Sequence, residues 1–336
     1  PPRPHQKPPP PQRPPPNGLT TRPPPAFRDR PPASTDEPST THRLPLQPGA
    51  RTAGVNAYRL GLTAGEHAVL SEVSFTARLG SLTAVAGPLA ARNAALLMMI
   101  AGARTPSAGR VTVDGHDVYA EPAAMRTRIG IVPRDDQLLH RRLTVERALH
   151  YAAELRLPPD TIADHRGRVV DQVLEELELT PHRGARITKL SPEELHRCTS
   201  IALGLLTRPT VLVVDEPGAG LDAAQEAQVM AVLRSQADLG CVVMVATTSL
   251  PHLDMCAQVL LLTPAGTLAF AGPPLQLESA MGIADRAEAV SRVSADPEGT
   301  HRAHAARQQA TGPTTPSTAS APWPPPPSPS LTRQFG

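Results

Sequence analysis

Two adjacent carboxylates, Asp215 and Glu216, follow the apolar run Val211-Leu212-Val213-Val214 and precede Pro217-Gly218. An apolar run of this length is typical of a buried strand, so we expect the pair at the carboxyl end of one. Packing gives no reason for two charges there. A carboxylate in that position can hold Mg²⁺, and its neighbour can polarise water for phosphoryl transfer. Asp215 and Glu216 are therefore the candidate catalytic residues, and Asp215 is the candidate metal ligand.

A second candidate site is the loop that begins at Gly87, between a predicted strand over residues 81–86 and an apolar helix over 93–101. Phosphate-binding loops of the pattern G-x-x-x-x-G-K-[ST] stand between a strand and a helix, because backbone N–H groups and the helix N-terminus then face the phosphates. The first glycine is present, but Arg92, Asn93 and Ala94 replace the second glycine, the lysine and the hydroxyl residue. The candidate cofactor-binding residues of this loop are Gly87, Pro88, Arg92, Asn93, Ala94 and Ala95.

These replacements remove the groups that phosphoryl transfer requires. The chain has two lysines, Lys7 and Lys189, and neither is near the loop. Asn93 can donate a neutral hydrogen bond but carries no charge, and loss of one transition-state donor typically costs about 3–4 kcal/mol. Ala94 cannot ligate Mg²⁺. The sequence therefore predicts slow or absent hydrolysis.

The elements that must position both sites alternate between strands and helices. Strands are predicted at 81–86, 128–132, 211–214 and 241–246, and two amphipathic helices between 144 and 179 interrupt the series. Such alternation predicts an α/β fold with a mainly parallel sheet. We expect the β-rich stretches before residue 76 to form a separate antiparallel β region, and the helices between 140 and 200 to form an inserted helical subdomain.

The order of motifs resembles that of ATP-binding subunits of ABC transporters, most closely their G-type branch. Residues 211–217 resemble the Walker B strand, and Gly220-Leu221-Asp222 resembles the D-loop. Leu190-Ser191 resembles the start of the L-S-G-G-Q signature, and residues 129–136 stand where the Q-loop belongs. The resemblance implies an ABC-ATPase P-loop fold over about residues 52–285. It also implies ATP and Mg²⁺ as cofactors, with Leu190, Ser191 and Asp222 as further nucleotide-binding residues.

Departures from the family pattern fall on functional positions. Pro192, Glu193 and Glu194 replace the glycines and the glutamine of the signature, and Arg134 replaces the Q-loop glutamine. Thr248 stands at the histidine switch, and the nearest aromatic residue to the adenine-stacking position is Tyr58. The segments predicted as strands and buried helices keep the apolar patterns that are typical of such elements. This distribution indicates a pseudo-ATPase in which ATP binding is weakened or lost.

The two ends of the chain differ in composition from the centre. Of the 41 prolines, 18 lie in residues 1–50 and 8 in residues 301–336. Such segments bury too little apolar surface to offset the entropy of ordering. We expect disordered Pro-rich segments over residues 1–51 and 286–336, which could bind SH3-like or WW-like domains.

Overall charge and cysteine content exclude several classes of protein. The net charge is +2, from 33 basic and 31 acidic residues without a long single-sign block, so no nucleic-acid partner is predicted. Three cysteines without metal-ligand spacing predict reduced thiols. No apolar run reaches the roughly 18 residues of a membrane span. We expect a cytoplasmic protein, peripheral to the inner face of the plasma membrane when in a transporter complex.

Three functions remain open at this point. The first is a hydrolysis-deficient domain that docks on a membrane-spanning chain and pairs with a second ABC ATPase domain. The second is a working transport ATPase whose partner subunit completes one competent composite site. The third is an interaction protein that uses its Pro-rich arms, with no nucleotide in the folded domain.

Overall fold

The computed structural model describes residues 54–135, 139–191 and 193–310. Our predictions for residues 1–51 and 311–336 lie outside this range, as do those for Asp136 and Pro192. In the described part, the strands are β1 (Gly54–Ala64), β2 (His67–Arg78), β3 (Leu82–Ala86), β4 (Ala108–Val113), β5 (His116–Asp117), β6 (Ile129–Val132), β7 (Val211–Asp215), β8 (Val242–Thr247), β9 (Gln258–Leu262) and β10 (Leu268–Gly272).

The helices alternate with these strands, as the sequence predicts. They are α1 (Ala90–Ile100), α2 (Pro122–Arg128), α3 (Val145–Arg156), α4 (Ala163–Glu176), α5 (Glu194–Leu205), α6 (Ala223–Asp238), α7 (Leu277–Met281), α8 (Ala287–Ala295) and α9 (Pro297–Ala310). No helix of the described ranges is long and apolar enough to cross a bilayer.

Two sheets organise the domain. Strands β2, β1, β4 and β5 form an antiparallel sheet in that order, and β10, β9, β3, β8, β7 and β6 form a six-stranded sheet. In the second sheet, every neighbouring pair from β9 to β6 is parallel, and β10 is antiparallel. The predicted α/β class with a parallel sheet and an antiparallel β region is confirmed.

The six-stranded sheet is buried on both faces, which explains why its strands are continuous apolar runs. In β3, Leu82, Ala84 and Ala86 belong to one apolar core and Val85 to the other. The first core includes α3, α4 and α5, which lie between β6 and β7 along the chain, and the second includes α1 and the antiparallel sheet. The catalytic candidates therefore lie on a rigid layer between two cores.

The prediction of a disordered tail from residue 286 is wrong for residues 287–310. Helices α8 and α9 occupy this stretch, Ala289 and Val293 are fully buried, and α9 packs against β10. Arg307 donates to the carbonyls of Ala280 and Ala269, at 2.7 and 3.1 Å. Composition did not reveal this packing, because α9 is mostly polar.

His304 on α9 makes this C-terminal packing sensitive to acid. The side chain is buried and its Nε2 has no hydrogen-bond partner among the described residues. Burial, with the charges of Arg307 and His301, lowers the His304 pKa to about 4. The unfolded chain, with a pKa near 6.5, then binds a proton that the folded chain does not, so stability should fall as the pH drops from about 6.5 to 4.

We expect the melting temperature of the native chain to fall over this pH interval about 3–6 °C more than that of H304Q. Calorimetry at several pH values measures the difference. H67Q, which changes an exposed histidine at the start of β2, is the matched control and should retain the native slope. Equal slopes in the native chain and H304Q would contradict the assignment.

Candidate nucleotide-binding site

The sheet register brings the two predicted sites to one edge. Ala86, the last residue of β3, pairs with Thr247 of β8, and Asp215, the last residue of β7, pairs with Ala246 of β8. The loop that follows Gly87 and the carboxylates at the end of β7 therefore flank the end of one intervening strand. Parallel strands place their carboxyl ends together, which is the usual location of ligand sites in open α/β sheets.

The loop between β3 and α1 is short because the helix begins early. α1 starts at Ala90, so Arg92, Asn93, Ala94 and Ala95 are helical residues. The N–H groups of Arg92 and Asn93 donate to the carbonyl of Leu89, at 2.9 and 3.2 Å, and Pro88 has no N–H. Three backbone groups that could otherwise face a phosphate are thus engaged or absent.

Asn93 closes the space between the loop and β8. It is fully buried, and its Nδ2 donates to the carbonyls of Gly87 and Thr247, each at 3.1 Å. A Cβ on Gly87 would lie 2.9 Å from Asn93 Oδ1 and 2.9 Å from the Leu262 carbonyl oxygen, so glycine is required here for close approach. The residue at the lysine position therefore joins two backbone segments.

The side chain of Arg92 is bonded to the antiparallel sheet. Its Nη1 donates to the carbonyl of Val69 on β2, at 2.6 Å, which ties α1 to the antiparallel sheet. The neighbouring Ala94 is half-buried, and Ala95 is buried in the core that contains α1. None of these three side chains brings a positive charge or a hydroxyl group to the loop.

The carboxylates at the end of β7 each have an oxygen without a hydrogen-bond partner among the described residues. These atoms are Oδ1 of Asp215 and Oε1 of Glu216, and both are buried. Burial, followed by the charge of Glu216, raises the pKa of Asp215. Glu216 has a left-handed φ of 43°, a conformation that costs about 1–2 kcal/mol in non-glycine residues. Its N–H donates to the Ala246 carbonyl at 2.8 Å and helps to hold this conformation.

Arg197 on α5 is a site residue that sequence reasoning missed. It is 4% exposed, and its guanidinium donates to the carbonyls of Pro133 (2.7 Å) and Arg134 (3.1 Å) after β6. It also donates to the carbonyls of Asp215 and of Glu216, the latter at 3.2 Å. A lone arginine in a helix gives no signal of such a role, because its four acceptors are backbone atoms from distant segments.

The signature segment lies at the start of α5. Leu190 is buried and Ser191 is exposed, and the Leu190 carbonyl is 3.2 Å from His196 Nε2. Glu193 is exposed, and Glu194 is the first residue of α5. Two carboxylate residues thus stand side by side at this helix start.

The predicted D-loop residue Asp222 has a structural role. Its Oδ1 accepts hydrogen bonds from the N–H groups of Ala224 and Gln225, both at 2.9 Å, and the Gln225 side chain accepts from the Asp222 N–H. This is a capping box, which stabilises the first turn of α6. Asp222 is exposed.

The remaining sequence-based candidates lie in three different places. Thr248, at the histidine-switch position, is exposed, whereas the Thr247 carbonyl is held by Asn93. Arg134 is exposed and contributes its carbonyl to Arg197. Tyr58 lies on β1, 60% exposed, at an irregularity in the pairing with β4.

The carboxylates at the end of β7 and the residues of the Gly87 loop differ in how well they fit Mg²⁺ and a nucleotide. On the β7 side, the unpartnered oxygens of Asp215 and Glu216 are ligands of the type that Mg²⁺ prefers. On the loop side, Asn93 fills the lysine position with a bridging amide and Ala94 offers no metal ligand. The loop side therefore offers neither a cation nor a hydroxyl ligand at positions 93 and 94.

Comparisons with known proteins agree with this architecture. Residues 70–219 match the family model for the ABC transporter. The chain is 50% identical over 252 residues to an ABC transporter ATP-binding/permease protein of Mycobacterium tuberculosis, covering 75% of this chain and 29% of that protein. It is 32% identical over 221 residues to ABC transporter G family member 44 of Oryza sativa, covering 64% and 14%. The chain thus spans less than a third of these curated relatives.

A solved structure shows the same fold. The structure of cbiO1 from Clostridium perfringens, part of the ABC transporter complex cbiONQ, has a TM-score of 0.61 at 22% identity, over 75% of this chain and 99% of that one. The described domain therefore has the ABC ATPase fold. Residues 70–219 lie in a domain of the ABC transporter ATP-binding type, and G family proteins are among its homologues.

Proposed function

We propose that this chain supplies an ABC-type ATP-binding domain to a transporter and hydrolyses ATP slowly or not at all. In this proposal, it docks on a membrane-spanning domain at the inner face of the plasma membrane and pairs with a second ABC ATPase domain. The similarity to an ATP-binding/permease protein supports the membrane partner. The substrate of transport is set by that partner.

The observation that carries the proposal is the position of Asn93. Its buried amide bridges the Gly87 and Thr247 carbonyls, in the place from which a lysine would neutralise the β- and γ-phosphates. Arg92, the nearest cation along the chain, is committed to the Val69 carbonyl. We therefore infer that triphosphate binding is weakened in this chain.

The signature segment supports the same conclusion for the opposite site of a dimer. In the family, each composite site takes the loop and Walker B strand from one chain and the signature from the other. Glu193 and Glu194 would bring carboxylates towards a γ-phosphate of the partner chain, and like charges repel. A homodimer would carry both defects in both sites. In a heteromeric assembly, this chain would give its loop to one site and its signature to the other, so each site would retain one defect.

The test is ATP turnover by the purified chain and by E216Q. If this site does not hydrolyse ATP, the rates of the native chain and E216Q should agree within about twofold, because any turnover that is measured then does not depend on Glu216. E175Q, which changes an exposed carboxylate on α4, controls for a general effect of the substitution. Turnover that is present in the native chain and E175Q but lost in E216Q would overturn the proposal and favour a working transport ATPase.

A further inference from the structure

A cavity of about 360 Å³ lies among the last three helices of the described ranges, α7, α8 and α9. Its lining comes from the end of α7, the end of α8 and one side of α9, between Ser279 and Arg307. These residues lie beyond residues 70–219, which match the ABC transporter family model. Small-molecule sites typically have volumes of roughly 300–1,000 Å³. The cavity is therefore a candidate for a second ligand site.

Two glycines of the lining keep this space open. Gly282 ends α7 with a left-handed φ of 64°, which glycine adopts without strain. A Cβ on Gly299 would lie 1.9 Å from Oδ2 of Asp296, so a side chain there would displace this carboxylate. The Gly299 N–H donates to Asp296 Oδ1 at 2.8 Å and fixes the carboxylate at the start of α9. The shape of the cavity thus depends on the absence of side chains at these two positions.

Two arginines from different helices line the cavity. Arg307 of α9 is half-buried, and its Nη1 and Nη2 donate to the carbonyls of Ala280 and Ala269, at 2.7 and 3.1 Å. Carbonyl acceptors orient a guanidinium but do not neutralise its charge. Arg292 of α8 is exposed and forms no ion pair with any residue that the structure describes. Asp296 is the one carboxylate of the lining, so two guanidinium groups and one carboxylate give it a formal charge of +1.

Much of the remaining wall is apolar. Met281 is buried, and Ala280 and Ala303 contribute methyl groups. Thr300 is also buried, and its hydroxyl hydrogen is already engaged by the carbonyls of Asp296 and Pro297, at 2.8 and 3.0 Å. A ligand with an anionic group beside an apolar body would therefore match this lining.

We propose that this cavity binds a small organic monocarboxylate. The carboxylate would lie between Arg292 and Arg307, because guanidinium groups can donate to both of its oxygens. The apolar body would contact Met281 and Ala303. A phosphate dianion fits less well, since its second charge would be repelled by Asp296. The proposal assigns the C-terminal helices a ligand site of their own, and it does not depend on ATP binding.

Ligand-observed NMR titration of the full chain with isocaproate tests this site. Isocaproamide is the matched probe, because it has the same shape without the charge. We expect saturable binding of isocaproate, with isocaproamide at least about tenfold weaker because it loses the charge-assisted bonds to both arginines. Absence of saturable isocaproate binding, or equal affinity for the two probes, would overturn the proposal.

A charge variant identifies the arginine that contacts the ligand. R292Q should weaken isocaproate binding about fivefold, which is the upper range for an exposed ion pair. R302Q changes an exposed arginine of α9 outside the lining and should bind like the native chain. Equal losses in R292Q and R302Q would contradict the site, because the effect would then be one of net charge.

A space-filling variant locates the bound molecule. Ala303 is an exposed helical residue at the edge of the cavity, so A303L should abolish isocaproate binding while changing the melting temperature by less than about 2 °C. Binding that persists in A303L would show that the molecule lies elsewhere. Inorganic phosphate that binds more tightly than isocaproate would also refute the monocarboxylate assignment.

Discussion

The chain in which Arg92→Gly, Asn93→Lys and Ala94→Ser rebuild the loop should bind a Mg²⁺-complexed ATP analogue about 10- to 100-fold more tightly than the native chain. A charge-assisted hydrogen bond contributes about 1.5–3 kcal/mol, and every 1.4 kcal/mol is a factor of ten. The introduced lysine would restore the lost charge, and the introduced serine would restore the metal ligand beside Asp215. The lysine matters most, because the other losses remove dipoles or ligands.

The structure explains why all three changes are required. Asn93 holds the Gly87 and Thr247 carbonyls, and Arg92 holds the Val69 carbonyl, so both side chains keep the first turn of α1 closed. Glycine at position 92 releases the second of these contacts and disfavours helix there by about 1 kcal/mol. The loop can then open around the phosphates, while β3, α1 and Asp215 stay in place.

Calorimetric titration measures the gain, with R92G/N93A/A94S as the matched control that opens the loop without restoring charge. This control should gain little affinity. If the rebuilt chain shows no gain over the native chain, the pocket has collapsed, and the interaction-protein function becomes the better explanation. We do not expect hydrolysis in the rebuilt chain, because Glu193, Glu194 and Thr248 are unchanged.

Arg197→Met should destabilise the domain by about 3 kcal/mol or more, because a buried acceptor that loses its donor typically costs about 1–3 kcal/mol and several lose theirs here. The guanidinium serves four carbonyls, those of Pro133, Arg134, Asp215 and Glu216. Methionine retains the length and apolar stem but leaves these acceptors unsatisfied. It also removes the tie between the segment after β6 and the strained backbone at Glu216.

Urea unfolding gives the size of this effect. Arg110→Met changes an exposed arginine on β4 and should alter the free energy of unfolding by less than about 0.5 kcal/mol. The loss of stability in Arg197→Lys should lie between the losses in Arg197→Met and Arg110→Met, because one ammonium group cannot bond to both pairs of carbonyls. A loss below about 1 kcal/mol in Arg197→Met would show that water or a rearranged neighbour replaces the guanidinium.

The local features of this fold could be read from residue order. The apolar run before Asp215 predicts a buried strand, and β7 ends at that residue. The periodicity after Thr144 predicts the helices of the insertion, and Thr144 caps α3 through its side chain. Such features depend on residues a few positions apart, so the sequence contains the necessary information.

The loop at Gly87 shows where residue order is insufficient. The pattern locates it between a strand and a helix, but not that α1 begins at Ala90 or that Asn93 bridges two carbonyls. The bridge requires Thr247, which lies far along the chain and is brought close by the pairing of β3 with β8. The role of Arg197 was hidden for the same reason, since its partners are carbonyls that every residue carries.

Residue order alone indicated the class of fold, the end of the sheet at which the carboxylates lie, and the absence of a lysine and a hydroxyl residue at positions 93 and 94, because side-chain identity and periodicity are local properties. Two further features emerged only when the chain was folded. Asn93 became a bridge, and the polar helix α9 became a packed element. Each depends on contacts between distant segments, whose partners no local pattern specifies.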